Sequence, residues 1–488
     1  MTKASTVAML SGSLWAVAMR WSLRLLSLVS TLILARLLVP ADFGVVAQAM
    51  LVYSLLELTT DFGFQQALIH DQQAQRADYD TVWTLQVIRG ALTGLVLFLG
   101  ADFFARFFNE PRLADIITVY ACLALATGFA NVRVIDFRKH LQFDKDYRYS
   151  VYRKLAGFTV TIWVAWEFRS YWAMVAGSAA ATLAAVVIGY AMIPYRPRVA
   201  LSRWRHILGF SKWILSEGIV SALSSRIDTF ILGKLGSNEA LGLYTVSLEV
   251  SSMPSTEVSQ PVARAAFPIL STLKDELEEF RSLNTATLTM MFFLVFPTCV
   301  GLSLVADIAI PVLLGESWVA ASAFVEVLAL VGIVRTIASA GASAYLASGI
   351  PKMLTLLAFV SLFARTLGML LGFHYAGPIG LAWGAFAAAC LNGLVNLGCQ
   401  HRIGLIDGRL LIVHLLPTVA GVASMSLCLS ALRFPGTLPG LLAAVVTGAC
   451  AYFVTVLLFG LVVRQPTAPH VRAASWLVGA LQARRGGH

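Results

Sequence analysis

Six arginines lie inside apolar stretches of this sequence: Arg20, Arg24, Arg89, Arg226, Arg335 and Arg365. An arginine held at mid-depth in a bilayer costs roughly 2.5–3.5 kcal/mol even on the lenient insertion scale, so such residues are functional candidates. The planar fork of arginine suits paired hydrogen bonds to a phosphate. Arg20 and Arg24 stand four residues apart, and Ser13, Ser27 and Thr31 fall on or beside the same helical face, making a polar stripe on an apolar helix. Arg89 sits between Gln86 and Thr93 at spacings of three and four, Arg335 precedes Ser339, and Arg365 follows Ser361. Arg226 lies nine positions from Glu217, on the opposite side of its helix, where snorkelling or packing accounts for it.

Carboxylates recur in the same stretches at helical spacing. Tyr53, Glu57 and Asp61 repeat every four residues; Glu217, Ser221, Ser224 and Asp228 form a second stripe, and Glu249, Ser252, Thr256 and Gln260 a third. Glu57, Asp61, Glu217, Asp228 and Glu249 are therefore candidates for lining a wet cavity and for coupling to protons or sodium. The alternative is an arginine–carboxylate network, such as Arg89 with Glu57 or Asp61, or Arg335 and Arg365 with Glu326. Spacing does not separate the two. No acid/base pair or metal-ligand spacing accompanies these groups, so the expectation is a protein that is not an enzyme and needs no cofactor. Cys122, Cys299, Cys390, Cys399, Cys428 and Cys450 occur in apolar runs without ligand spacing and read as buried small hydrophobes.

The elements that hold these residues follow from composition. Of 488 residues 58% are hydrophobic and 13% charged, with mean hydropathy +0.77, against about a quarter charged in a soluble domain. A bilayer core of about 30 Å takes about 20 apolar residues per helix. That ruler gives fourteen spans, near 13–35, 43–63, 82–105, 113–133, 150–168, 171–193, 209–232, 240–262, 286–306, 320–347, 353–375, 378–401, 411–432 and 438–463. The first lacks a charged leader and a cleavage site and reads as retained. Pro254 and Pro261 predict a kink in the eighth. The spacings Gly90/Gly94, Gly368/Gly372 and Gly380/Gly384 predict close helix packing.

The +10 net charge reports topology rather than nucleic-acid binding, because no basic stripe interleaved with aromatics lies outside the apolar runs. The N-terminus, the even-numbered loops and the C-terminus carry 24 Lys and Arg, and the opposite loops carry 6. Both termini are therefore expected in the cytoplasm. Arg133, Arg138, Lys139, Lys145 and Arg148 of the fourth loop read as topology determinants and lipid-headgroup contacts. Loops on the far side are expected to stay within about a dozen residues, leaving no room for an extracytoplasmic domain.

The halves repeat. ARLLVPADFG at 35–44 and GKLGSNEALG at 233–242 align at an offset of 198, pairing Arg36 with Lys234 and Gly44 with Gly242. Six spans separate the copies, so both hairpins face the same side and the repeat is parallel, as in transporters whose lobes rock about a central site. The expected architecture is all-α: an N-lobe at 1–195, a C-lobe at 208–402, two further spans at 411–464 and a cytoplasmic tail at 465–488.

The stretches LARLLVPADFGVVAQA, GKLGSNEALGLYTVS, PVARAAFPILSTL and PVLLGESWVAASAFVEVLAL resemble, in order and spacing, Wzx-type lipid-linked oligosaccharide flippases of the polysaccharide transporter family. They are most similar to its colanic-acid and teichuronic-acid exporting branch, within the multidrug/oligosaccharidyl-lipid/polysaccharide exporter superfamily. The resemblance implies translocation of an undecaprenyl-pyrophosphate-linked repeat unit across a bacterial inner membrane, for exopolysaccharide, capsule or O-antigen. It implies membrane lipid, a glycan polymerase and glycosyltransferases as partners. Arg20, Arg24, Arg89, Arg335 and Arg365 then become candidates for holding the pyrophosphate. A multidrug exporter of the same fold is disfavoured by the excess of intramembrane arginine. A membrane-embedded polymerase or ligase is disfavoured by the short far-side loops.

Overall fold

The computed structural model describes residues 3–60, 63–71, 73–204 and 224–463. Among them the first half holds α1 (Lys3–Leu37), α2 (Pro40–Thr59), α3 (Phe64–His70), α4 (Arg76–Phe108), α5 (Arg112–Gly128), α6 (Asp136–Lys139), α7 (Phe143–Phe168) and α8 (Trp172–Met192). Helical residues 224–235 (α9) follow. Then come α10 (Asn238–Thr272), α11 (Leu277–Leu304), α12 (Ala306–Leu314), α13 (Ala321–Ala347), α14 (Pro351–Ile403), α15 (Gly408–Ala431) and α16 (Leu438–Val463). Most of the span expected at 209–232 lies outside the described residues. The other candidates each overlie a helix, two of them sharing α14.

Nine of the described helices are long and apolar enough to cross a membrane. Their outer faces carry exposed Leu92, Phe98 and Leu99 on α4, Phe363 on α14 and Leu427 on α15, which in water would be a large apolar patch and in a bilayer is the lipid-facing surface. Cys122 and Cys450 are on this exterior, and only Cys299 is fully buried. The expectation of burial fails for the first two because in a bilayer a thiol needs no protein cover. α14 breaks at Ala376 and at Gly377, whose φ of 60° suits glycine, and Pro378 restarts the helix. Its two halves fold back on each other: a Cβ at Gly384 would meet the Gly368 carbonyl oxygen at 1.9 Å. α10 runs as one helix through Pro254, Pro261 and Pro268. The connection at 305–320 exceeds the loop length expected on its side, and folds largely as α12.

Two compact units divide at Thr245 and Val246. In the first, α1 packs on α7 through Trp15 and Tyr147, ring centres 5.2 Å apart, and through Ser22. The α4–α5 pair closes on Gly90 and Gly94, where a Cβ would meet the carbonyl oxygens of Ala124 at 2.6 Å and Ala121 at 2.8 Å. Val45, Leu97, Leu113, Ile116 and Ile117 fill the core beneath.

The two hairpins of the repeat meet inside this unit. Pro40 starts α2, and Val39 N–H donates to the Asp42 carboxylate at 3.4 Å; in the second copy Ala240 N–H donates to Ser237 Oγ at 3.1 Å. A Cβ on Gly44 would stand 1.8 Å from the Asn238 carbonyl oxygen, and one on Gly242 would stand 1.8 Å from that of Pro40. Gln48 Nε2 donates to Gly233 O at 3.0 Å. These contacts draw residues 224–245 into the first unit, although the sequence repeat groups them with the second half.

In the second unit, Ser247, Ser251, Ser255 and Ser259 line the buried face of α10. Ser247 Oγ donates to Ala321 O at 3.1 Å and Ser259 Oγ bonds Thr336 Oγ1 at 3.3 Å, so small hydroxyls tie α10 to α13. Asn284 Nδ2 donates to Gln400 Oε1 at 3.2 Å and Gln400 Nε2 to Asn396 Oδ1 at 2.7 Å, joining α11 to α14.

Candidate functional site

In the first unit a cavity of about 320 Å³ is lined by Glu57, Gln86, Arg89, Thr127, Tyr149, Arg153 and Thr182. α2, α4, α5, α7 and α8 each contribute, so the polar groups face one another across an otherwise apolar bundle. Arg89 Nη2 stands 4.0 Å from Glu57 Oε1, with the Arg89 side chain 17% exposed and that of Glu57 39%. The pair sets a cation and an anion side by side on the cavity wall. Gln86 is spent on structure, its Nε2 donating to Thr127 O at 3.0 Å. Arg153 adds a second cation to the wall. Nothing in the spacing of the sequence singles it out; its position on α7 brings it to the cavity, where it is exposed.

Arg20 and Arg24 are half-buried on α1. At 3.6 residues per turn each lies about 160° around the helix from Ser22, so they occupy the side away from the α7 contact. Asp228 is 1% exposed and accepts from Tyr244 OH at 3.0 Å and from Thr229 N–H at 2.9 Å. Arg226 is half-buried. Asp61 and Glu217 lie outside the described residues.

In the second unit the buried serine stripe of α10 leaves Glu249, Ser252 and Thr256 half-buried and Gln260 exposed on its other side. Ser252 Oγ donates to Glu249 O at 3.1 Å. Arg335 on α13 and Arg365 on α14 are each half-buried; Glu326 is exposed.

Where the hairpins meet, Glu110 accepts from Arg112 Nε at 2.8 Å and Nη2 at 2.9 Å, and from the Asn238 amide. Those donors, Arg112 first, hold the Glu110 carboxyl below the usual carboxylate range. The Lys234 ammonium donates to Phe107 O and stands 4.3 Å from the centre of the Phe107 ring. None of this network was visible in the sequence, because its members come from α4, the loop after it, the start of α5, α9 and α10.

Residues 33–323, more than half the chain, match a family described as polysaccharide biosynthesis protein. The chain belongs to that family. This polysaccharide biosynthesis protein is 23% identical over 393 residues to the lipopolysaccharide biosynthesis protein WzxC of Escherichia coli (strain K12), covering 79% of this chain and 80% of the relative. It is 24% identical over 349 residues to the teichuronic acid biosynthesis protein TuaB of Bacillus subtilis (strain 168), covering 70% and 72%. Its fold is similar to that of the lipid II flippase MurJ in an inward closed conformation, with a TM-score of 0.74 over 93% of this chain and 100% of that one, at 12% identity. The family match spans the first unit's cavity and both hairpins of the repeat.

Proposed function

We propose that this member of the polysaccharide biosynthesis family is a flippase that carries an undecaprenyl-pyrophosphate-linked oligosaccharide repeat unit across the bacterial inner membrane. The observation that carries the reading is the match to a polysaccharide biosynthesis family on a fold shared with a lipid II flippase. In this reading both termini are cytoplasmic, which the 24-to-6 cation distribution supports. The headgroup enters a cationic cavity from the cytoplasmic side while its tail stays in lipid. Arg20, Arg24 and Arg89 of the first unit and Arg335 and Arg365 of the second are the candidate pyrophosphate ligands, since an arginine fork suits paired hydrogen bonds to a phosphate. Glu57, Asp61, Glu217, Asp228 and Glu249 are the candidate carboxylates for coupling to protons or sodium, Asp228 being the one already bonded to Tyr244 and Thr229. Lobes at 1–195 and 208–402 rock to expose the cavity alternately, and polymerase and glycosyltransferases act on either side of the step. The protein transports and does not transform its substrate.

Arg89→Gln keeps size and polarity but removes the charge from the cavity wall. In cells making the cognate polymer it should lower export at least tenfold while the lipid-linked repeat unit accumulates and the protein remains in the membrane. Normal export with Arg89→Gln at normal protein levels contradicts the role given to this residue.

A further inference from the structure

A second polar cavity, of about 570 Å³, opens where three connections converge at the N-terminal end of α4. Arg76, Arg133, Lys139, His140 and Arg196 line it, from the start of α4, the stretch between α5 and α7, and the stretch after α8. By the cation count these connections are cytoplasmic. The single carboxylate on the wall, Asp136, is 6% exposed and already accepts from Tyr79 OH at 2.5 Å and from Arg133 Nε at 3.0 Å. Asp80, which reaches the wall through Tyr195, is 5% exposed and accepts from Tyr195 OH at 2.6 Å and Arg198 N–H at 3.2 Å. Burial and that bond to Asp80 push the Tyr195 hydroxyl above its ordinary range, which keeps it a donor.

The two acids are thus engaged by tyrosines and by one arginine each, Arg133 on Asp136 at 3.0 Å and Arg76 on Asp80 at 3.7 Å, so the cations on the wall outnumber the acids and Lys139, His140 and Arg196 pair with neither. Arg76 Nη2 donates to Arg196 O at 3.2 Å and Lys139 Nζ to Asp71 O at 2.6 Å, which fixes the walls while leaving each cation further donors. Arg133 is 44% exposed and Arg76 60%. The exposed Arg196 guanidinium and His140 ring make no hydrogen bond or ion pair with the described residues. A topology signal asks only that cations lie in a loop beside the membrane. It does not ask that three separate loops turn them onto one aromatic-walled cavity.

We propose that this cavity binds a phosphate group, at a site separate from the transmembrane cavity and independent of the transport reading. Planar guanidinium forks and an ammonium around one volume suit a tetrahedral oxyanion. Its source is either the headgroup of an anionic membrane lipid or a soluble phosphate compound.

The test uses the purified full chain in phosphatidylcholine nanodiscs, titrated with inorganic pyrophosphate by calorimetry at low and high salt. The double variant Arg196→Gln/His140→Gln removes two exposed side chains with no bonds to the described residues, so folding should be unaffected. A salt-sensitive binding event should be weakened at least tenfold in the double variant and kept in Arg402→Gln, a cationic control at the far end of α14. Arg133→Lys, which keeps the charge, should weaken it less than Arg133→Gln. Phosphatidic acid added to the nanodiscs should abolish pyrophosphate binding if the site takes a lipid headgroup, and should leave it intact if the ligand is soluble; both support the site. Equal binding by wild type and double variant, or no binding of either probe, overturns it.

Discussion

Gly44 approaches Asn238 so closely that a Cβ on the glycine would lie 1.8 Å from the asparagine carbonyl oxygen, and Gly242 approaches Pro40 in the same way at the same distance. An offset of 198 turns one pair into the other, so the repeat seen in the sequence is also a two-fold contact in space. The glycines are needed because backbone meets backbone, and no rotamer change could make room. Gly44→Val and Gly242→Val should each lower the thermal stability of the purified protein by a few degrees, since overpacking costs about 1–3 kcal/mol. The two effects should combine non-additively, because both act on one contact. Additive losses measured by thermal unfolding would mean that the two approaches are separate.

The register of these contacts places Asp42 opposite Ala240. Asp42→Cys with Ala240→Cys should form a disulfide under mild oxidation, provided their Cα atoms lie within about 4.4–6.8 Å. If the hairpins part during each cycle, polymer export should stop on oxidation and return on reduction. Export that continues with the crosslink fully formed, judged by gel mobility, rules out separation of the hairpins.

Arg24→Ala should abolish export while membrane levels stay normal, and Arg24→Lys should restore only part of it, since lysine keeps the charge but not the fork. Immunoblots of membrane fractions read beside polymer yield separate the outcomes. Loss of the protein itself would place Arg24 in the packing of the bundle.

Glu110 predicts a pH dependence. Its carboxyl titrates below the ordinary value of 4.5 because Arg112 and Asn238 bond the charged form. A group depressed in the folded state stabilises above its unfolded value and loses that contribution as pH falls through the folded one. Wild type should therefore exceed Glu110→Gln in melting temperature at neutral pH, and the gap should close below about pH 4. A gap that persists unchanged to low pH would mean that Glu110 contributes by shape and not by charge.

What the sequence made legible was whatever recurs along one helix. Apolar runs placed the helices, the break between spans at 375 and 378 fell on Gly377, and the paired glycines of α14 proved to be the close approach they suggested. The same logic found Arg89 and Glu57, and the structure sets both on one cavity wall, so pairing and cavity lining are compatible. It missed Arg153 and Tyr149, whose place at the cavity depends on how α7 packs against α8. It also missed the Asn284–Gln400–Asn396 network and the buried serine face of α10. Single amides more than a hundred residues apart leave no spacing to read, and on α10 the eye follows the charged Glu249 stripe rather than the uncharged one that packs.

The central claim is that this protein moves a lipid-linked glycan from one leaflet to the other, and reconstitution tests it most directly. Purified protein is placed in liposomes carrying an undecaprenyl-pyrophosphate-linked oligosaccharide in both leaflets, and a membrane-impermeant glycan-modifying reagent is added outside. Without protein about half the glycan should react. With wild-type protein the protected pool should become accessible, with Arg24→Ala it should stay protected, and with oxidised Asp42→Cys/Ala240→Cys it should stay protected until reduction. A protected pool of the cognate glycan that is the same with and without correctly folded wild-type protein would contradict the account.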